Sequence, residues 1–260
     1  MAFMVKDGFR LYYEDTGGDA PAVMFLHGAG GNHLSWWQQA PVFAEEYRCV
    51  TVDQRGFGQS PDVAGGPGPA ALATDALALL DHLGIRRAAL VSQSMGGWAA
   101  VGAAVRASER FWAIVLANTV GNLTNPEIAA LRAKLAAASP PRPPVLWHAA
   151  LGPTFRKSQP VRSFLYAQIA GLNEPRPADF SERLSRVTTP VDQYAATRVP
   201  TFFLTSDEDG LIWPELSQKV HQHVPGSRFE RVEGAGHSTY FERPDVWNRE
   251  VGAFLKEHRP

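Results

Sequence analysis

Residues 88–106 read AALVSQSMGGWAAVGAAVR, a short apolar run that passes through small residues into a helical pattern. Residues 88–91 predict a buried strand, and residues 95–106 predict a helix. The hexapeptide between them, SQSMGG, departs from the pattern G-x-S-x-G only where Ser92 replaces the first glycine. A sharp strand-to-helix turn of this kind exposes its central serine at the carboxyl edge of a sheet. Ser94 is therefore the candidate nucleophile, and the alternative is an ordinary glycine-rich loop.

Short apolar runs alternate with helical patterns on both sides of this stretch. Strands are predicted at 9–14, 22–26, 48–52, 112–116, 201–204 and 228–232, and helices at 72–83, 216–223 and near the C-terminus. Such alternation is typical of an α/β fold, in which helices flank a mostly parallel sheet. We expect residues 1–121 and 197–260 to form this core.

Residues 122–196 have a different character. They contain ten prolines between short amphipathic pieces and show no convincing strand pattern. This composition favours an all-helical insertion into the core rather than a continuation of the sheet.

A glycine-rich loop follows the predicted strand 22–26. It reads His27-Gly28-Ala29-Gly30-Gly31, and it can direct the N–H of Ala29 at the oxygen of a substrate carbonyl. The N–H of Met95, next to Ser94, is the predicted second donor. His27 is interpreted as a structural residue that hydrogen-bonds the loop.

A histidine and a group of acids follow two later strands. His237 lies in Gly234-Ala235-Gly236-His237, where the glycines leave the imidazole accessible for proton transfer. Asp207, Glu208 and Asp209 follow the strand at 201–204, and one of them is expected to orient His237. The residues alone leave the choice among these three open, and two of them are expected to be solvated bystanders.

Together these motifs resemble the α/β-hydrolase family, over about residues 8–255. The segment Asp53-Gln54-Arg55-Gly56-Phe57-Gly58-Gln59-Ser60 is similar to the family's D-x-R-G-x-G-x-S, whose Asp and Arg are structural. The resemblance implies the chain order Ser94, Asp209, His237 for a catalytic triad and selects Asp209 as the acid. In some relatives the acid lies one strand earlier, where this chain has Asn118. The insertion at 122–196 corresponds to the family's lid.

The resemblance implies a serine hydrolase, of carboxylesterase type, that cleaves a carboxylic ester or similar carbonyl compound. A carbon–carbon bond hydrolase, a lactonase or a perhydrolase would use the same triad, and a ligand-binding receptor is the non-enzymatic alternative. The serine in the strand-to-helix turn at residues 92–97, called the elbow below, disfavours epoxide hydrolases and haloalkane dehalogenases, which carry aspartate there. Four tryptophans are candidate substrate-pocket residues: Trp36, Trp98, Trp147 and Trp213.

Composition excludes several other classes of protein. Lysine and arginine number 25 against 26 acids, so the net charge of −1 gives no basis for nucleic-acid or polybasic membrane binding. A single cysteine, Cys49, excludes an internal disulfide and a multi-cysteine zinc site. No signal peptide or membrane helix is predicted. We therefore expect a cytoplasmic enzyme with a small-molecule substrate and neither metal nor organic cofactor; the oligomeric state stays open.

Overall fold

The computed structural model describes residues 2–6, 8–139 and 149–260. Its centre is an eight-stranded sheet with the order β1-β2-β4-β3-β5-β6-β9-β10. These strands are β1 (Ala2–Lys6), β2 (Phe9–Asp15), β3 (Ala22–Leu26), β4 (Arg48–Val52), β5 (Ala88–Gln93), β6 (Phe111–Ala117), β9 (Thr201–Ser206) and β10 (Arg228–Val232). A two-stranded parallel sheet pairs β7 (Leu123–Thr124) with β8 (Thr189–Pro190).

Most of the large sheet is parallel, as the alternation of strands and helices predicts. The pairs β1–β2 and β2–β4 are antiparallel, and every other neighbouring pair is parallel. The strands predicted from sequence are confirmed, with ends shifted by up to two residues. The edge strand β1 was not predicted, because its sequence AFMVK shows too short an alternation to stand out.

Helices of the described residues surround the sheet. They are α1 (Ala40–Phe43), α2 (Leu72–His82), α3 (Gly96–Arg106), α4 (Pro126–Ala138), α5 (Pro153–Ser158), α6 (Pro160–Gly171), α7 (Phe180–Arg186), α8 (Val191–Ala195), α9 (Pro214–Gln222), α10 (Thr239–Glu242) and α11 (Pro244–His258). No helix within the described ranges is long and apolar enough to cross a membrane.

The core divides between the two faces of the sheet because successive strand residues point to opposite sides. Met24, Leu90 and Ile114 face one side and pack with α2, α3 and α9. Their neighbours Val91 and Val115 face the other side, where α1 and α11 cover them. The central strands are thus buried on both faces, which explains their continuous apolar sequence.

The segment between β6 and β9 contains helices α4 to α8, as its sequence predicts. The expectation that this insertion is all-helical is wrong, because it also contains β7 and β8; a strand of two residues carries no periodic pattern in the sequence. This segment follows the carboxyl end of β6. It therefore begins at the edge of the sheet at which Ser94, Asp209 and His237 lie.

Candidate active site

Ser94 sits on a strained turn directly after β5. Its backbone φ is +49°, a left-handed conformation that costs energy for any residue other than glycine. A Cβ at Gly96 would come within 2.0 Å of the Leu26 carbonyl oxygen, so the start of α3 needs a glycine to approach β3. The hydroxyl of Ser92 donates to the Val115 carbonyl at 2.7 Å, which satisfies its polar group inside the sheet. The turn expected from the sequence is present, with serine tolerated in its first position.

His237 and Asp209 form a buried pair at the ends of neighbouring strands. The Nδ1 atom of His237 lies 3.0 and 2.9 Å from the two carboxylate oxygens of Asp209. Side-chain exposure is 4% for the histidine and zero for the aspartate, so water does not compete for this contact. An ionised carboxylate only accepts hydrogen bonds, so Nδ1 carries the proton and Nε2 keeps its lone pair. This is the tautomer that a general base requires.

The Asp209 carboxylate is held on all sides by other donors. The main-chain N–H groups of Leu211 and Ile212 each donate to Oδ1 at 2.9 Å. The side-chain amide of Asn118 donates to Oδ2 at 3.0 Å. Asn118 follows β6, one strand earlier than the acid, and its amide fixes the orientation of the carboxylate. The resemblance marks Asn118 only as a position where some relatives carry the triad acid, and the sequence does not predict the contact of Asn118 with Asp209.

The three adjacent acids have different partners. Only Asp209 contacts His237, whereas Asp207 accepts from the Ala235 N–H at 3.4 Å. Glu208 accepts from the N–H of Thr154 at 3.0 Å and also from the Thr154 hydroxyl. Asp207 is exposed, as expected of a solvated turn residue, whereas the expectation that Glu208 is merely solvated is wrong. Both tie their loop to other segments, and Glu208 reaches the first turn of α5.

A cavity of about 290 Å³ opens over Ser94 and His237. Its described lining also includes Ala29 and Gly30 from the loop after β3, and Gln93 from the elbow. The segment between β6 and β9 supplies further lining, through residues that include Tyr166, Ala170, Asn173 and Arg176. The candidate nucleophile and the candidate base thus line the same cavity.

The two predicted oxyanion donors come from the loop after β3 and from the residue after Ser94. Ala29 lines the cavity, and Met95 is the residue that follows the serine. A Cβ at Gly28 would lie 2.1 Å from the Gln93 side-chain oxygen, so the loop can approach the elbow only with glycine there. The Gln93 amide in turn donates to the His237 carbonyl at 2.9 Å. Gln93 therefore links the elbow to residues 234–237, the loop that carries His237 and is called the histidine loop below.

His27 is engaged entirely by main-chain groups. Its Nε2 accepts from the Gln54 N–H at 2.9 Å, so its Nδ1 carries a proton and donates to the Gly28 carbonyl at 2.8 Å. Burial lowers its pKa to about 4, which keeps the ring neutral. These contacts match the structural role expected for it.

Three of the four candidate pocket tryptophans lie away from the cavity lining. Trp36 is fully buried and its ring packs 5.0 Å from that of Tyr240. Trp98 donates to the Leu184 carbonyl at 3.1 Å, and Trp213 donates to the Ser139 hydroxyl at 2.8 Å. None of these three is among the described residues that line the cavity, because each indole is committed to packing or to a fixed partner. Trp147 lies outside the described residues.

A buried carboxylate lies behind the histidine loop. Glu242 accepts from the N–H of Gly236 at 2.8 Å and from that of Gly152 at 3.2 Å, and it is 2% exposed. Burial raises the pKa of this carboxyl to about 7, although the hydrogen bonds oppose the shift. The sequence did not identify Glu242, because nothing in the helix pattern around it distinguishes a buried glutamate from an exposed one.

No group of three or more His, Cys, Asp or Glu suited to a metal occurs within the described ranges.

Comparison with known proteins gives consistent findings. The sequence model of the alpha/beta hydrolase fold matches residues 21–244. A 3-oxoadipate enol-lactonase from Acinetobacter baylyi is 30% identical over 92% of this chain and 90% of its own length.

Two solved structures are similar in fold. A thermophilic esterase from Thermogutta terrifontis has a TM-score of 0.80 at 24% identity, over 99% of this chain and 97% of its own. The enol-lactonase from Burkholderia xenovorans has a TM-score of 0.78 at 24% identity, over 98% of this chain and 100% of its own.

Proposed function

Since this chain belongs to the alpha/beta hydrolase fold family and is a hydrolase, we propose that it cleaves a carboxylic ester or similar carbonyl compound through an acyl-enzyme on Ser94. The observation that carries the proposal is the buried pair of His237 and Asp209 on the same cavity as a serine with φ of +49°. A strained elbow exposes the nucleophile, and the pair supplies an oriented base.

The proposed reaction has two similar halves. Ser94 Oγ attacks the carbonyl carbon while His237 Nε2 takes its proton, and the imidazolium that forms is stabilised by Asp209. The N–H groups of Ala29 and Met95 donate to the oxyanion, where each such donor contributes about a hundredfold to a thousandfold in rate. His237 then returns the proton to the leaving alcohol. Water, activated by the same histidine, releases the acyl group and regenerates Ser94.

We further propose that residues 122–196 form a lid over a core of residues 1–121 and 197–260. Support comes from Tyr166, Ala170 and Arg176, which line the same cavity as Ser94. No step of this mechanism uses a metal or cofactor, so activity is expected to survive chelators. A cytoplasmic location and a small-molecule substrate remain predictions from the sequence.

A lactone is the second candidate substrate. The enol-lactonase from Acinetobacter baylyi, matched over nine-tenths of both chains, supports it. A lactone is a cyclic ester, so the same residues would act on it, and the leaving oxygen would stay attached to the acyl group until water releases both.

Pre-steady-state kinetics with 4-nitrophenyl butyrate test the acyl-enzyme. We expect a burst of nitrophenolate equal to the enzyme concentration, or steady turnover if acylation is the slower step. A single equivalent released with no further turnover would favour a receptor, and no release from esters or an enol-lactone would contradict the proposal. The ratio of kcat/KM for an enol-lactone to that for its open-chain enol ester decides between the two substrate classes.

A further inference from the structure

Arg176 lines the cavity over Ser94 and has no acidic partner among the described residues. Apart from His237, the charged side chains among its described lining residues are Glu174 and Arg176. Within the described residues, no carboxylate lies within ion-pair distance of Arg176, and its recorded hydrogen bond runs from Nη1 to the Ala29 carbonyl at 3.0 Å. A guanidinium has five N–H donors, so this bond leaves most of them available to a ligand.

The position of Arg176 is fixed relative to the reaction centre. Asn173, three residues earlier, accepts from the Gly58 N–H at 2.9 Å and donates to the Gly30 carbonyl at 3.4 Å. The segment that carries Arg176 is therefore held against the glycine loop. Since Arg176 binds the carbonyl of Ala29, whose N–H is the proposed oxyanion donor, its guanidinium lies within roughly 7 Å of that donor.

The surroundings of this guanidinium favour an incoming anion. The Arg176 side chain as a whole is exposed, and its Cζ lies 5.6 Å from the centre of the Phe180 ring. Desolvation lowers the pKa of the guanidinium, and no anion among the described residues offsets that shift. A carboxylate suits this group best, because arginine binds both carboxylate oxygens with parallel N–H donors.

We propose that Arg176 is a specificity-determining residue that binds a carboxylate of the substrate, so that the preferred substrates are esters or lactones carrying a carboxylate a few bonds from the scissile carbonyl. This inference rests on the proposed function, because it assumes that the reaction occurs at Ser94. The distance between the guanidinium and the oxyanion donor fits a chain of roughly two to four carbons between the two groups.

The test compares two esters of matched size that differ in charge. These are the mono-4-nitrophenyl ester of glutaric acid and its methyl diester, assayed at constant ionic strength with the enzyme-free rate subtracted. The wild-type enzyme should prefer the charged ester in kcat/KM. In Arg176→Gln the ratio of charged to neutral kcat/KM should fall at least tenfold, with the loss in KM, because a charge-assisted hydrogen bond is removed.

Three further variants sharpen the result. Arg176→Lys should keep part of the preference, because it retains the charge but not the paired donors. Glu174→Gln should raise the ratio, because it removes a like charge from the cavity wall. Arg186→Gln is the control. Arg186 is exposed, pairs with Glu182 and lies outside the described cavity lining, so this variant removes the same charge away from the site. It should leave the kcat/KM of both esters unchanged.

The outcomes separate this inference from the proposed function. An equal loss on both esters in Arg176→Gln would show that Arg176 acts through the glycine loop and would overturn carboxylate recognition. Turnover of the neutral ester with a ratio that Arg176→Gln does not change would also overturn it, while leaving the proposed function intact. No turnover of either ester by the wild-type enzyme would overturn both.

Discussion

The carboxyl edge of the sheet and the segment between β6 and β9 both line one cavity, but they do so in different ways. Ser94, Asp209 and His237 each follow a core strand, so the sheet itself determines where they lie. Tyr166 and Arg176 belong to helices and loops that long-range contacts hold in place, such as the Tyr166 to Ser238 hydrogen bond of 2.9 Å. We accordingly propose that the reaction chemistry resides at the sheet edge and that substrate selection resides in the inserted segment.

The largest effect is expected at the sheet edge. His237→Ala removes the only base in the proposed mechanism and should lower kcat by at least about ten-thousandfold for every ester, whatever its charge. The control is His223→Ala, because the His223 ring pairs with Glu127 and is not among the described residues that line the cavity; this variant should change kcat less than threefold. A His237→Ala enzyme with near wild-type turnover would remove the sheet edge from the chemistry.

The second effect distinguishes the adjacent acids. Asp209→Asn can present an amide donor to Nδ1 and favour the wrong imidazole tautomer, so kcat should fall between about a hundredfold and ten-thousandfold. Asp207→Asn keeps an acceptor for its long contact to Ala235 and should stay within threefold. Steady-state kinetics of both variants check this. A severe loss in Asp207→Asn with a mild one in Asp209→Asn would contradict the assignment of the acid.

The third effect lies where the two walls meet. Glu242 joins Gly236 of the histidine loop to Gly152, and its pKa is raised from 4.5 to about 7 by burial. Between these pH values the folded protein holds a proton that the unfolded chain has lost. The contribution of Glu242 to the free energy of unfolding is therefore fully present below pH 4.5, and it is lost as pH rises through about 7. The loss from this group is about 3 kcal/mol.

Urea unfolding at several pH values measures this slope. Glu242→Gln has no titrating group at this position and should lose most of the decline between pH 4.5 and 7. Glu208 is the nearby acid that raises the Glu242 pKa further, so Glu208→Gln should weaken the slope without abolishing it. An unchanged slope in Glu242→Gln would show that the buried carboxyl does not titrate in this range.

The smallest effect concerns the start of the inserted helices. Glu208 accepts from the N–H and hydroxyl of Thr154 in the first turn of α5, as a capping group does. Glu208→Ala should lower the free energy of unfolding by about 1 kcal/mol. Hydrogen exchange should speed up in residues 153–158 and not in β5. Faster exchange in β5 would mean that the inserted segment and the sheet do not respond separately.

Sequence alone predicted the sheet, the elbow and the histidine, because strand runs, small residues and glycine flanks are local patterns. It left three acids open, since a carboxylate's direction depends on donors from Asn118, Leu211 and Ile212 that assemble only in the fold. It chose bulky tryptophans for the pocket, although Trp36 serves the core. It did not identify Tyr166 or Arg176, because neither lies in a motif and only the folded segment brings them to Ser94.

Covalent labelling at Ser94 tests the central claim most directly. A fluorophosphonate reacts with a serine only when a base and an oxyanion site activate it. Intact-protein mass spectrometry should show one adduct on the wild-type chain, and peptide mapping should place it on Ser94. Ser94→Ala should take up no probe. Full labelling of Ser94→Ala, or an adduct on another serine of the wild-type chain, would contradict the assignment of Ser94 as the nucleophile.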